Sequence, residues 1–273
     1  MEPRIIFLGV AGDHYVAGKQ VRGSGGIVLQ IEDMQFHIDP GPGAVVRNKQ
    51  YSINSRENTA IIVSHSHINH CNDINALISA TTANGLDHVS VLIASKSLLQ
   101  GLEEQTPFLT NFHKSCVERV IRVESGNEIG INKVEIHVLK AEHSDPFAVG
   151  YKFITPKFSV IYTGDTEYFE EMNEIYKNVD ILILNVQEPF DREVEGRLSA
   201  DDAVKILEKT KPRLAVITHF GVKMLNADPI FIAREIQKKS GVQTMAAKDG
   251  LSINPLNCSV AMRQKTLNIY ESQ

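Results

Sequence analysis

The sequence predicts an α/β domain in which successive strands stop at a shared edge and present chemistry-bearing side chains there. Three observations carry this. Short apolar runs rich in β-branched residues recur along the chain, stretches with apolar residues at helical spacing lie between them, and the strand-like runs end at His, Asp or Asn. A chain of 273 residues buries a large core, and it shows no long linker, internal repeat or low-complexity stretch, so one domain over 1–273 is the simplest division. With 42% hydrophobic and 22% charged residues it reads as an ordinary globular chain, and a net charge of −5 gives no electrostatic grip on long nucleic acid. No apolar run reaches membrane-spanning length, so no membrane association is expected. The start, Met1 to Phe7, lacks the pattern of an export signal. Cys71, Cys116 and Cys258 are odd in number and scattered, which argues against a disulfide framework and for a cytoplasmic location.

In chain order, Arg4 to Gly9 is a strand running into the loop Val10 to His14. Ile27–Ile31 and Met34–Ile38 form a hairpin around Glu32-Asp33, and the second strand ends in Asp39-Pro40-Gly41-Pro42-Gly43, which must turn sharply. The run Thr59 to Val63 is a buried strand that delivers Ser64-His65-Ser66-His67-Ile68-Asn69-His70. Asn72 or Asp73 is placed to cap a helix with Ile74, Leu77 and Ile78 inward. Val89 to Ala94, Val120 to Val123 and Val134 to Leu139 are further strands, with a short helix from Lys96 to Leu102. The strand Ser159 to Tyr162 leads to Asp165, Asp180 to Leu184 leads to Asn185, and Arg213 to Thr218 leads to His219. Ser199 and Asp202 make a capping-box pattern ahead of Ala203, Val204, Ile206 and Leu207. Asp228-Pro229 opens the last long helix, which Gly241 ends.

The stretch from His65 to His70 is the strongest chemical signal. His65 and His67, two apart, face one point if the segment stays extended, and His70 falls one tight turn later. Neutral imidazole is the commonest metal ligand, and three imidazoles packed together with no cation leave ring nitrogens unpaired. Asp39 reads as a residue that accepts backbone amides of the neighbouring loops, Asp73 as a helix cap and Asp145 as a supporting partner, with a metal-ligand role as the alternative for each. His14 and His37 read as surface or packing histidines, and Cys71 as a small buried residue under the loop, with a ligand role as its alternative.

His65-x-His67-x-Asn69-His70, then His143, then Thr163-Gly164-Asp165, then Thr218-His219 resemble the ordered metal-binding motifs of the metallo-β-lactamase superfamily. The likeness extends from the Leu8-Gly9 loop through Ile38-Asp39-Pro40-Gly41 to Ala247-Lys248-Asp249-Gly250-Leu251. It implies a four-layer αββα sandwich with a metal site along one edge of two sheets. It also implies that His65, His67 and His143 hold one ion, that His70 and His219 hold a second, and that Asp165 bridges them. The ribonuclease Z and related phosphodiesterase branch is nearest in style, because Tyr162-Thr163-Gly164-Asp165-Thr166 and the late Asp249-Gly250 recur there.

The departures carry as much information. Asn69 stands where that superfamily usually has Asp, so an anionic ligand that would also orient the attacking hydroxide becomes a neutral amide. The expectation is one firm site, through His65, His67, His143 and Asp165, and a weaker second one. Only about twenty residues separate His143 from Asp165, too few for the arm with which ribonuclease Z holds transfer RNA, so that substrate is not expected. The family's proton-donating histidine has no counterpart, and Arg197 stands in its region, either as an oxyanion ligand or as a surface residue. The expected function is a metal-dependent hydrolase with Asp165 and Asn69 at the reacting centre. It would use zinc, or else manganese or iron, to turn water into a nucleophile against a phosphodiester or other small ester, with a small-molecule or nucleotide-like substrate. The alternatives are a metal-binding protein with lost or iron-dependent redox activity and a glyoxalase II-like thioesterase. Homo-oligomers are compatible with the sequence.

Overall fold

The computed structural model describes residues 2–103 and 105–262. The chain first lays down β1 (Arg4–Phe7), β2 (Ile27–Ile31), β3 (Met34–Ile38), β4 (Asn58–Val63), β5 (Val91–Ser95) and β6 (Arg119–Val123) as neighbours in one sheet. It then builds a second sheet from β7 (Glu128–Ile131), β8 (Val134–Lys140), β9 (Val149–Ile154), β10 (Ser159–Tyr162), β11 (Ile181–Glu188), β12 (Leu198–Ser199), β13 (Leu214–Thr218) and β14 (Thr244–Ala246). Finally β15 (Leu251–Ile253) and β16 (Val260–Met262) return to the first sheet, β15 pairing antiparallel with β1. In both sheets the hairpin strands are antiparallel, whereas β3 to β6 and β10 to β14 pair in parallel through crossovers.

Parallel strands covered on both faces need apolar residues on both faces, and β4 shows the division. Ala60 and Ile62 point into the core between the sheets, where Phe36 and Phe153 meet edge to face at 5.8 Å. Ile61 and Val63 point outward against Ile74, Leu77, Ile78 and Leu98 of the flanking helices. The second sheet is covered by the helices Ala200–Thr210 and Pro229–Ser240, whose Ala203, Ile206, Ile232 and Ile236 are buried. The layers are therefore α, β, β, α. The capping box of Ser199 with Asp202 is formed, and Asp228 accepts the amide of Ile230 ahead of Pro229, as the sequence patterns predict. Asp73 departs from its expected role: it sits before the helix Ile74–Thr82 without capping it, and accepts from Val45 N and Asn72 Nδ2 instead. No helix among the described residues is long and apolar enough to cross a membrane.

Two buried polar contacts fix how one sheet sits on the other at the edge where the parallel strands end. Tyr151 in β9 donates its hydroxyl to Val63 O in β4 at 2.8 Å, and Tyr162 in β10 donates to Asp39 Oδ2 at 2.7 Å. Asp39, at the end of β3, also accepts Ser64 N and Ser64 Oγ, each at 2.7 Å, and His70 Nδ1 at 2.9 Å. The sequence places the conformational freedom of this turn in its glycines, yet Asp39 itself takes the left-handed conformation, with φ of 51°. Gly41 is required for a different reason: a Cβ there would lie 2.0 Å from the carbonyl oxygen of Asn69.

Asp39→Ala would strand the buried donors of Ser64, Tyr162 and His70, and should cost roughly 3–5 kcal/mol, read as a lower urea midpoint at unchanged slope. His37 generates a second prediction. It is fully buried with Nε2 against Gly25 O at 2.9 Å, and burial lowers its pKa to about 4. The unfolded chain takes up this proton near pH 6.5 and the folded chain does not, so acid favours the unfolded state. This group's contribution should fall by about 2 kcal/mol between pH 7 and pH 5, and His37→Gln should remove that part of the slope in urea titrations at several pH values.

Candidate metal centre

The loops after β4, β8, β10 and β13 meet at the edge between the sheets. Val149 N donates to Ser64 O at 3.2 Å, and Asp145 accepts both the amide and the hydroxyl of Ser66, at 3.0 and 2.9 Å. These bonds bring the loop carrying His143 onto the loop carrying His65 and His67. Asp145 is thus the supporting partner the sequence suggests.

His65 Nε2 lies 3.0 Å from His67 Nδ1, and His143 Nε2 lies 3.1 Å from the same atom. The surrounding hydrogen bonds assign the protons. Ser64 donates its hydroxyl to Asp39, so its oxygen accepts from His65 Nδ1 at 3.0 Å and leaves a lone pair on His65 Nε2. Likewise His143 Nδ1 donates to Gly196 O at 2.8 Å, which leaves its Nε2 as a lone pair. Burial is the main force holding His65 well below its ordinary pKa and lowering His67 to about 4, with neighbouring imidazoles adding to it. Neutral nitrogens aimed at one point are what a cation requires. A tetrahedral zinc ion with bonds of about 2.0–2.1 Å separates its nitrogen ligands by roughly 3.3 Å, so these spacings need open by only a few tenths of an ångström.

A second group lies beside the first. Asp165 Oδ2 faces His70 Nε2 at 3.2 Å and His219 Nε2 at 3.1 Å, while Asn185 Nδ2 donates to Asp165 Oδ1 at 2.7 Å. His65, His70 and Asp165 offer ligand atoms within 4.8 Å of one another, as do His65, His67 and His143, so His65 belongs to both groups. His70 lies between two carboxylates. Burial opposes its charge, but Asp165 and Asp39 outweigh burial and raise its pKa to about 10. Burial would likewise raise Asp165, yet His219 and His70 hold it well below the carboxylate range. For His219 burial prevails over Asp165 and the pKa is lowered. His219 takes a left-handed backbone, with φ of 64°. Asn69 is buried with its Nδ2 donating to Gly12 O at 3.3 Å, and its Oδ1 has no hydrogen-bond partner. An unpartnered buried oxygen beside His219 fits a cation ligand better than a packing role.

All six residues read from the sequence as ligands, His65, His67, His70, His143, Asp165 and His219, therefore converge, with Asn69 among them. Cys71 is buried with its thiol on Ser66 O, and burial pushes its pKa up to about 12, consistent with a packing residue. The three cysteines are unpaired. Arg197 faces the buried carboxylate of Glu188, 3.7 Å away, and is not joined to the histidines. Sequence reading gave no role to Ser64, Tyr162, Asn185 or the Gly196 carbonyl, which orient the ligands; Asn185 gave a signal as the polar end of a strand, and Tyr162 only as part of the motif around Asp165.

A model of the beta-lactamase superfamily domain matches residues 35–220. An uncharacterized protein of Methanocaldococcus jannaschii is 30% identical over 259 residues, covering 94% of this chain and 97% of that protein. Among solved structures, the metallo-beta-lactamase fold protein YhfI from Bacillus subtilis superposes with a TM-score of 0.77 at 18% identity, over 92% of this chain and 99% of that one. A diphosphatase from the PhnP family gives 0.69 at 19% identity, over 92% and 97%. With the ordered histidine and aspartate motifs meeting where two covered sheets join, this chain belongs to the beta-lactamase superfamily and has the metallo-β-lactamase fold of metal-dependent hydrolases.

Proposed function

We propose that this protein hydrolyses a small phosphodiester, with a nucleotide-like molecule as the favoured substrate class, at a centre that holds one divalent cation firmly and a second weakly. The observation that supports it most is the convergence of the assigned lone pairs of His65 and His143 on His67, beside Asp165. His65, His67 and His143 would hold the firm ion together with Asp165, and His70, His219 and the Oδ1 of Asn69 would face the second. Imidazole and carboxylate donors suit zinc. When bound, such an ion supplies Lewis acidity to water and to the oxygen of the ester under attack. The protein's own part is to keep the ligands neutral and aimed, through Ser64 on His65 and Gly196 on His143, and to hold Asp165 ionised through His70 and His219.

The phosphodiester assignment draws on the diphosphatase among the structural neighbours and on the histidine order shared with the ribonuclease Z branch. The stretch from His143 to Asp165 supports a small substrate over transfer RNA. It is taken up by β9, a turn at residues 155–158 and β10, and has no projecting arm. The unpaired thiols fit a reducing cytoplasm.

Protein isolated without added metal should carry one equivalent of zinc per chain after mild chelation. Two equivalents that resist the chelator would overturn the weak second site, and His143→Ala should lose the tight ion. Bis(p-nitrophenyl) phosphate, a thioester and a lactam, offered with zinc, manganese or iron, should show preferred turnover of the phosphate with zinc. Asp165→Ala should lower that turnover by at least a hundredfold. Preferred thioester turnover would replace the phosphodiesterase reading with a glyoxalase II-like one, and activity tied to iron and oxygen would replace it with redox chemistry.

A further inference from the structure

His14 is the one site-facing histidine that neither the ligand groups nor the supporting hydrogen bonds employ. It opens the helix His14–Gly18, is exposed, and holds its ring edge-on to His67, centroid to centroid 6.3 Å. Its side chain has no hydrogen-bond or ion-pair partner among the described residues. The backbone that carries it is, by contrast, heavily restrained. Ala11 pairs with Phe220, Gly12 N donates to Phe220 O at 2.9 Å, and Gly12 O accepts from both Asn69 and Gln187. Asp13 accepts Val16 N at 2.6 Å and Val222 N at 2.8 Å. Gly12 sits so close to the ligand loop that a Cβ would lie 1.9 Å from His219 O. A partnerless imidazole beside His67 is thus carried on backbone that is bonded to the segments holding Asn69 and His219.

We propose that His14 is a substrate-contacting residue, whose ring N–H binds a non-bridging oxygen of the phosphoryl group held at the ligand cluster. A neutral imidazole carries one N–H in either tautomer, so the contact needs no change of charge. The inference rests on the hydrolase reading above and adds to it the group that meets the ester from the solvent side. A single hydrogen bond to a charged oxygen corresponds to roughly ten- to a hundredfold in binding.

The test uses the zinc-loaded chain and two variants, His14→Phe, which keeps the ring and loses the donor, and His14→Gln, which keeps an N–H. Inorganic phosphate binding is followed by phosphorus NMR titration, and kcat/KM is measured on bis(p-nitrophenyl) phosphate. His14→Phe should weaken phosphate binding and lower kcat/KM by ten- to a hundredfold at unchanged zinc content, and His14→Gln should recover most of both. Phosphate affinity and kcat/KM unchanged in His14→Phe would overturn the proposal, as would a loss that His14→Gln does not repair. Phosphate binding that depends on His14 in a wild-type chain without esterase activity would uphold the contact and sink the hydrolase reading instead.

Discussion

The buried carboxylate of Asp39 accepts the amide and hydroxyl of Ser64, the phenol of Tyr162 and the imidazole of His70, and so ties the end of β3 to the histidine loop and to the opposite sheet. Its effect spreads through proton assignment. Because Ser64 spends its hydroxyl hydrogen on Asp39, the same oxygen accepts from His65 and turns that ring's lone pair towards His67. The bond to His70 Nδ1 likewise leaves Nε2 facing Asp165. One acid thus sets which nitrogen of two separate imidazoles is presented, and with three donors on its Oδ2 and the Ser64 amide on its Oδ1 it serves as a positioning group.

The site's residues were legible in the sequence to very different degrees. The early histidines, Asp165 and His219 stood out because they follow almost wholly apolar, buried strands, so a polar residue at such a strand's end is conspicuous, whereas His143, after the alternating antiparallel β8, was legible only through its place in the ordered motifs. Helix limits were legible where capping chemistry sets them, as at Ser199 and Asp228. Ser64, Tyr162 and the Gly196 carbonyl were not, because each acts through a partner far away in the chain: Tyr162 reaches Asp39 across 123 positions and Gly196 meets His143 across 53. Asp73 misled for the complementary reason. Its local context is that of a cap, but a tertiary partner, Val45 N, claims its carboxylate.

The pairing of β11 with β13 explains why Asn185 matters. It lies level with Thr218 on the neighbouring strand, one residue before His219, and its amide fixes the oxygen of Asp165 that His219 and His70 leave free. Asp165 therefore meets donors at both oxygens and is held ionised and oriented. A carboxylate so placed is a fixed negative charge against which cations gather.

That fixed charge bears on the exchange of an aspartate for Asn69. The field at His70 is strongly negative, since Asp39 and Asp165 together overcome complete burial and raise its pKa to about 10. In that setting a further carboxylate at position 69 would stand near Asp165, with like charges opposing one another in a desolvated site. Asn69 avoids that repulsion and supplies an unpartnered carbonyl oxygen instead, at the expense of one charge towards a second ion. The proposed firm site needs no such charge, because His65, His67 and His143 would bind as neutral donors and Asp165 would balance the ion. On the proposed assignment, the substitution would weaken one half of the centre while leaving intact the half proposed to support hydrolysis.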